Sequence, residues 1–268
     1  MTEGVEDVVV YVSSPNIFEL HVVNNGVSYL DATEAQSVDL ASDLEFYVIN
    51  FGDGTNPCEG PTSFYSIAAV EDDTVVQIFE PASGGAFVLR EEVTINRFEA
   101  YTERHTATGS SQPNFSGFKI QATKAVSVYS GNRCAGEDTD QHSTWSSVPA
   151  FNQMNNTYLT YAITTAGVSA AGAYGVKIVA TQNGTIVFTS ILGQSNGLDD
   201  GQTVVYFYEY GSGEHIGKVT CSAPCYVMQF VRGESLDTGV SQSVIPPENR
   251  FLSFSTRNNF LYSLTSCY

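Results

Sequence analysis

The chain has 268 residues, of which 42 % are hydrophobic and 15 % are charged, and its formal net charge at pH 7 is −18. The apolar content excludes an intrinsically disordered chain, because disordered segments combine low hydrophobicity with many charges. The acidic balance, without any cluster of basic residues, excludes a nucleic-acid partner, since the backbones of DNA and RNA are themselves anionic. No apolar run approaches the roughly 20 residues that a bilayer-spanning helix needs, so the sequence predicts no membrane span.

Strand patterns run through the whole sequence. Val, Ile, Phe, Tyr and Thr alternate with polar residues over short stretches that end in Gly, Asn, Asp or Ser, and no window shows the apolar stripe of an amphipathic helix. We therefore expect an all-β fold built from antiparallel hairpins. In chain order, the predicted hairpin turns lie near Ser14, Asp72, Thr123, Asn183, Ala223 and Asn258.

Hairpins of two kinds recur along the chain. One kind occupies 7–38, 118–149 and 217–247, and an aromatic strand follows each copy. The other kind occupies 64–79 and 174–190. Recurrence on this scale indicates one supersecondary unit used several times. The chain begins and ends within a repeat, and its first residues do not resemble a signal peptide. We therefore expect a mature or excised segment of a longer secreted protein, with an intracellular protein as the alternative.

The repeats predict the architecture. Six units of about 45 residues suit the blades of a β-propeller, closed by strands from both termini. We therefore expect a single repeat-built domain, 1–268, with a six-unit propeller-like closure. Tandem β-sandwiches of about 100 residues are the alternative, because the two hairpin kinds alternate. The predicted units are 7–50, 51–115, 116–165, 166–215, 216–250 and 251–268.

The five cysteines predict disulfide bonds. Cys221 and Cys225 flank the turn of one predicted hairpin, where a bond across the two strands is within reach. Cys58 and Cys134 each follow a strand of the same repeat and are a second candidate pair. Cys267 is then unpaired or bonded to another domain or chain. Five reduced thiols are the alternative.

Three N-glycosylation sequons support secretion. They begin at Asn114, Asn155 and Asn183, and we expect all three asparagines to lie in turns or loops, where an acceptor must be accessible.

The acidic segment 137–142 is a candidate metal site. Asp138 and Asp140 stand at alternate positions, where carboxylates can converge their oxygens on a hard cation such as Ca²⁺. His142 is not a typical calcium ligand, and it is instead a candidate binding residue. A solvated acidic loop is the simpler interpretation, so we expect no cofactor, with Ca²⁺ as the alternative.

Aromatic residues supply the other candidate binding positions. Trp145, the only tryptophan, is either a platform for a sugar ring or an anchor for a loop. In 204–210, strand alternation places Tyr206, Tyr208 and Tyr210 on one face, toward solvent or toward a neighbouring sheet. Catalytic motifs such as G-x-S-x-G, H-E-x-x-H and a Gly-rich phosphate loop are absent from the sequence, so we expect no enzymatic activity.

Several blocks resemble the amino-terminal domain family of the IgG Fc-binding protein. The segment IAAVEDDTVVQIF (67–79) is similar to the family block A-x-x-D-x-T-x-V-x-I. The segment 115–136 is similar to G-x-x-I-x-S-x-K-P-V-x-V-x-S-G, with Ala125 where the family has Pro. Matching positions in these and two further blocks are Gly117, Ile120, Lys124, Val126, Val128, Ser130, Gly131, His142, Pro149 and Tyr158. The resemblance covers most of the chain from about 44 to 247.

The resemblance implies a secreted protein of the mucus or adhesive type, without enzymatic activity. We therefore expect an extracellular adhesion or assembly module, which binds protein or glycan partners, self-assembles or links to further domains. A calcium-assisted carbohydrate-binding module is the alternative, and a hydrolase is the least favoured interpretation.

Overall fold

Strands dominate the structure, which is a computed structural model. It describes residues 4–6, 12, 21–25, 30–34, 44–51, 61–106, 114–135, 142–161, 174–190, 193–194, 197–208, 216–232 and 240–251. The strands of the first half are Gly4–Glu6 (β1), His21–Asn25 (β2), Leu30–Glu34 (β3), Glu45–Tyr47 (β4), Pro61–Ala69 (β5), Thr74–Pro81 (β6), Phe87–Ile95 (β7), Ala100–Thr106 (β8), Lys119–Ala122 (β9), Val126–Ala135 (β10) and His142–Val148 (β11). Those of the second half are Asn155–Tyr161 (β12), Tyr174–Ala180 (β13), Val187–Thr189 (β14), Gly193–Gln194 (β15), Thr203–Tyr208 (β16), Ile216–Arg232 (β17) and Val240–Val244 (β18).

Helix in the described residues is limited to short turns. They are the 3₁₀ turns Ser83–Gly85 and Phe151–Gln153 and the α-helical turn Glu248–Phe251 (α1). The prediction of an all-β fold is confirmed.

The strands form antiparallel sheets. One sheet has the order β1-β8-β5-β10-β11, and a second has the order β4-β9-β6-β7. A seven-stranded sheet has the order β15-β14-β17-β13-β16, with β12 and β18 also paired to β17. β2 and β3 form a separate pair.

The pairing pattern occurs twice, in a unit 1 made of β4–β11 and a unit 2 made of β12–β18. In unit 1, β9 pairs with β4 and β6, while β5 pairs with β8 and β10. In unit 2, the first half of β17 pairs with β12 and β14, while β13 pairs with β16 and the second half of β17. The single strand β17 therefore takes the places of both β9 and β10.

The first turn of each unit repeats the same hydrogen bond. The Thr74 hydroxyl donates to the carbonyl oxygen of Glu71 over 2.7 Å, and the Thr185 hydroxyl donates to that of Gln182 over 2.7 Å. The segments 71–74 and 182–185 thus form the same turn in the two units.

A second turn also has the same hydrogen bond in both units. The backbone amides of Phe98 and Gly201 donate to the carbonyl oxygens of Ala69 and Ala180, each over 2.9 Å. Aligning the units on these bonds and on the strand registers assigns counterparts to the paired strand positions of the two units.

Several predicted hairpins are wrong, although their turns exist. The turns near Asp72 and Thr123 connect strands of different sheets, so their flanking strands do not pair with each other. Near Asn183, β13 and β14 pair with successive parts of β17. A tight turn between apolar strands serves a crossing between sheets as well as a hairpin, and sequence alternation does not separate the two. The turns predicted near Ser14 and Asn258 lie outside the described residues.

No closed ring of blades is found among the described strands. In unit 1 the two sheets face each other across an apolar core that contains Ile67 and Ile78, both fully buried. In unit 2 the equivalent core contains Ile178, Val187 and Val227. Two sheets that enclose one core, as in unit 1, or two halves of one sheet that do so, as in unit 2, correspond to the sandwich alternative.

Candidate functional site

The two units share a buried junction. The rings of Tyr47 in unit 1 and Tyr226 in unit 2 lie 5.7 Å apart between centroids, and those of Phe51 and Phe230 lie 5.0 Å apart. All four side chains are at most 5 % exposed. The outer face of β13 and β17 in unit 2 therefore packs on β4 of unit 1 and the residues that follow it.

Buried polar groups fix the geometry of this junction. Lys177 Nζ donates to the carbonyl oxygen of Asn50 over 2.9 Å. The amide of Phe51 donates to Gln242 Oε1 over 2.8 Å, and Gln242 Nε2 donates to the carbonyl oxygen of Ser130 over 3.2 Å. Buried hydrogen bonds of this kind hold the units in one relative orientation, because any sliding leaves desolvated polar groups unpaired.

Glycines allow the backbones of the units to meet. A Cβ on Gly117 of unit 1 would lie 2.0 Å from the carbonyl oxygen of Gly201 in unit 2. Gly201 has a φ of 77°, and a Cβ there would lie 2.8 Å from the Cβ of Pro81. No larger residue fits at either position without moving the units apart.

The Asp200 carboxylate is half-buried at the junction. The Tyr47 hydroxyl donates to the carboxylate of Asp200. Burial raises the pKa of Asp200, and Glu45 raises it further, whereas the Tyr47 bond and Lys119 lower it. Burial and the nearby Asp200 charge also raise the pKa of Tyr47.

Unit 2 exposes an apolar position that unit 1 buries in the junction. Leu159 is the counterpart of Tyr47, and it is 40 % exposed where Tyr47 is 1 % exposed. Beside it on the same face, Phe188 is 53 % and Ile186 is 39 % exposed. We call this surface, made of Ile186, Phe188, Leu159 and Lys218, the open face. Sequence alternation did not identify it, because both faces of these strands carry apolar residues.

Trp145 lies on the outer face of unit 1, partly buried. Its ring packs against Tyr129, with 5.4 Å between centroids. The structure therefore shows a partly buried ring held by a neighbouring aromatic side chain, and the role of Trp145 as a platform for a sugar ring stays a prediction.

The other predicted binding residues do not form one site. Tyr206 packs against the core of unit 2. Tyr208 ends β16 and His142 begins β11, but their side chains lie outside the described part. Asp138, Asp140 and Tyr210 lie outside the described residues. In the part of the chain that the structure describes, no three His, Cys, Asp or Glu side chains are grouped to hold a metal ion.

Cys221 and Cys225 form a disulfide, with their Cα atoms 6.4 Å apart. The predicted hairpin geometry is wrong, because both cysteines belong to one strand, β17. The neighbouring strand β12 pairs with β17 on either side of the bond, Asn155 with Cys225 and Thr157 with Thr220. The disulfide closes a bulge where β17 passes from one half of unit 2 to the other. Cys134 lies in β10 without a described side chain, and Cys58 and Cys267 lie outside the described residues.

The sequons occupy different environments. Asn183 lies in an exposed turn, as predicted, and Asn114 lies in the loop before β9. Asn155 is the first residue of β12, so its predicted loop position is wrong. The sequon pattern gave no sign of this strand, because its Asn-Asn-Thr run also suits a turn.

Comparison with known proteins identifies the family of the chain. None of the helices in the described residues is long and apolar enough to cross a membrane. Neither the curated proteins nor the solved structures gave a match. The model of the family described as IgGFc binding protein matches residues 40–266, which include both units. The chain therefore belongs to the IgGFc binding protein family.

Proposed function

We propose that this chain is a non-enzymatic, extracellular adhesion or assembly module that binds a protein partner through the open face. The observation that carries the proposal is the exposure of Leu159, whose counterpart Tyr47 is buried in the junction, together with the exposure of Phe188 and Ile186 on the same face. Exposed, clustered apolar side chains on a rigid sheet are typical of protein-binding surfaces. The description of the family as a binding protein supports the same class of function.

The charge of the open face favours a mixed apolar and polar contact. Lys218 lies between Leu159 and β14 and is paired with Glu248 at 3.6 Å. Both side chains are partly exposed, so the ion pair forms part of the rim rather than of a buried core.

A bead assay tests the binding function. Beads coated with the chain are mixed with beads coated with IgG Fc, with the chain itself or with albumin. We expect adhesion to Fc or to the chain, with an affinity reduced about 30-fold by Phe188→Ser, because truncating a central interface aromatic costs of order 2 kcal/mol. Val88→Ser is the matched control, since Val88 is 60 % exposed but lies on β7 of unit 1. Adhesion to neither probe, or equal adhesion of the two variants, would contradict the proposal.

Intact-mass analysis tests the extracellular location. We expect the mass to rise by the two hydrogens of one disulfide on reduction. We also expect glycans on Asn183 or Asn114, the two sequons outside strands, when the chain passes through a secretory pathway. Reduced thiols at Cys221 and Cys225 with bare asparagines would contradict an extracellular origin.

A further inference from the structure

A row of four residues crosses the outer face of unit 1, away from the core. Arg104, Phe64, Gly131 and Trp145 are register neighbours on β8, β5, β10 and β11. Adjacent strands are about 4.8 Å apart, so the row spans about 14 Å. A Cβ on Gly131 would lie 2.8 Å from Phe64 Cζ and 2.8 Å from the Cβ of Trp145, so the glycine lets the phenyl ring lie across the middle of the row.

Arg104 is an unusual member of this row. It is partly buried, and its Nη2 atom is buried without a hydrogen-bond partner. It forms no ion pair with any residue that the structure describes, although the chain has 29 acidic and only 11 basic residues. Buried polar atoms in folded proteins are nearly always paired, so an unpaired buried donor indicates a missing partner.

The surroundings of Arg104 suit a polar ligand with an apolar side. In the next row, the hydroxyls of Ser66 and Thr102 lie 3.0 Å apart and can accept or donate. At the far end, the Trp145 ring is held by Tyr129 at 5.4 Å.

In unit 2 the equivalent row packs against unit 1. The counterparts of Arg104 and Gly131 are Phe207 and Phe230, whose rings lie 5.7 Å apart. Phe230 packs on Phe51 of unit 1, and Gln242, the counterpart of Trp145, accepts the Phe51 amide. The fold therefore does not require an arginine or a tryptophan at these positions. Their presence in unit 1 needs an explanation other than packing.

We propose that the outer face of unit 1 binds an acidic oligosaccharide, with its anionic sugar residue at Arg104. Its carboxylate or sulfate group pairs with the Arg104 guanidinium, whose fork of donors matches two anionic oxygens. The hydroxyls of this acidic residue reach Ser66 and Thr102 near Arg104. A neighbouring residue of the same oligosaccharide packs an apolar ring face on Trp145, at the other end of the row. The net negative charge of the chain opposes binding only weakly, since charges beyond the Debye length of about 8 Å are screened at physiological salt.

Trp145 makes this site directly observable. It is the only tryptophan, so its fluorescence reports on this face alone. The chain is titrated with sialyllactose, with sulfated lactose and with neutral lactose. We expect a saturable change with the acidic sugars, at least tenfold weaker with lactose, and a tenfold or greater loss of affinity in Arg104→Gln. Arg97→Gln is the matched control, because Arg97 lies over the Phe98 ring at 4.5 Å on another part of unit 1.

The outcomes separate the alternatives. A signal from only one of the two acidic sugars identifies whether Arg104 binds a carboxylate or a sulfate. Either result supports the site. Equal responses to lactose, unchanged affinity in a folded Arg104→Gln variant, or no saturable response would overturn the proposal. So would binding of polyglutamate in place of the sugars, which would indicate an acidic protein ligand. Sugar binding that persists in Phe188→Ser shows that this site is independent of the open face, and loss of binding in chelator would contradict direct recognition by Arg104.

Discussion

The hydroxyl of Tyr226 donates a hydrogen bond to the carbonyl oxygen of Pro149 over 2.9 Å, and this bond joins unit 2 to unit 1. Tyr226 is fully buried, so loss of the hydroxyl leaves a desolvated carbonyl oxygen without its donor. We expect Tyr226→Phe to lower the free energy of unfolding by about 1–2 kcal/mol. Urea denaturation measures the change.

The control for this prediction is Tyr129→Phe. Tyr129 is partly exposed on the outer face of unit 1, and its hydroxyl makes no hydrogen bond to a described residue. We expect a change below about 0.5 kcal/mol, as for most surface substitutions. Equal effects of the two variants would show that the bond to Pro149 does not stabilise the junction.

The repeat predicts a stabilising substitution at Asp73. This residue has a φ of 53°, and its counterpart in unit 2 is Gly184, with a φ of 75°. Left-handed backbone is strained for residues with a Cβ but not for glycine. We expect Asp73→Gly to raise the free energy of unfolding by about 0.5 kcal/mol and Gly184→Asp to lower it by about as much. The space around Gly184 is open, so a larger loss there would indicate a cause other than the backbone.

The sequence predicted local turns of the fold, but it did not predict which strands pair with each other. The turn at Asn183 was predicted because Asn-Gly supplies the positive φ angles of a tight turn, and the structure has it there. The partners of the flanking strands were not predicted, because β13 and β14 pair with β17, which follows them by some 30 residues or more. The spacing of Cys221 and Cys225 likewise predicted their bond but not that it lies within one strand.

The candidate sites show the same limit. Strand alternation assigns residues to two faces, but it does not tell which face another unit covers. Tyr47 and Leu159 therefore look alike in sequence, although one is buried and the other open. Arg104 gave no sequence signal, since an arginine in a strand is usually solvated, and only its unpaired, buried Nη2 atom distinguishes it.

The disulfide of unit 2 is expected to stabilise the fold without being required for it. The corresponding corner of unit 1 has Ala122 and Val126 in place of the cysteines, and it folds without a bond. Replacing both Cys221 and Cys225 with Ser opens a short loop, and the loop-entropy relation gives a cost of about 2 kcal/mol. Urea denaturation with and without reductant measures this cost. A double variant that does not fold would contradict the equivalence of the two corners.

Asp200 predicts a pH-dependent stability of the junction. Burial raises its pKa above the usual 3.8, so the folded state binds the proton more tightly than the unfolded state does. The stability from this group is fully present below the unfolded pKa and is lost as the pH rises through the folded pKa. Asp200→Asn does not titrate, so we expect it to melt at a higher temperature than the unmodified chain at pH 7, with a difference that shrinks toward pH 3.5. Asp199→Asn removes one negative charge from the same turn and is the control. A difference between Asp200→Asn and the unmodified chain that stays constant between pH 3.5 and 7 would show that the Asp200 carboxylate does not carry this cost.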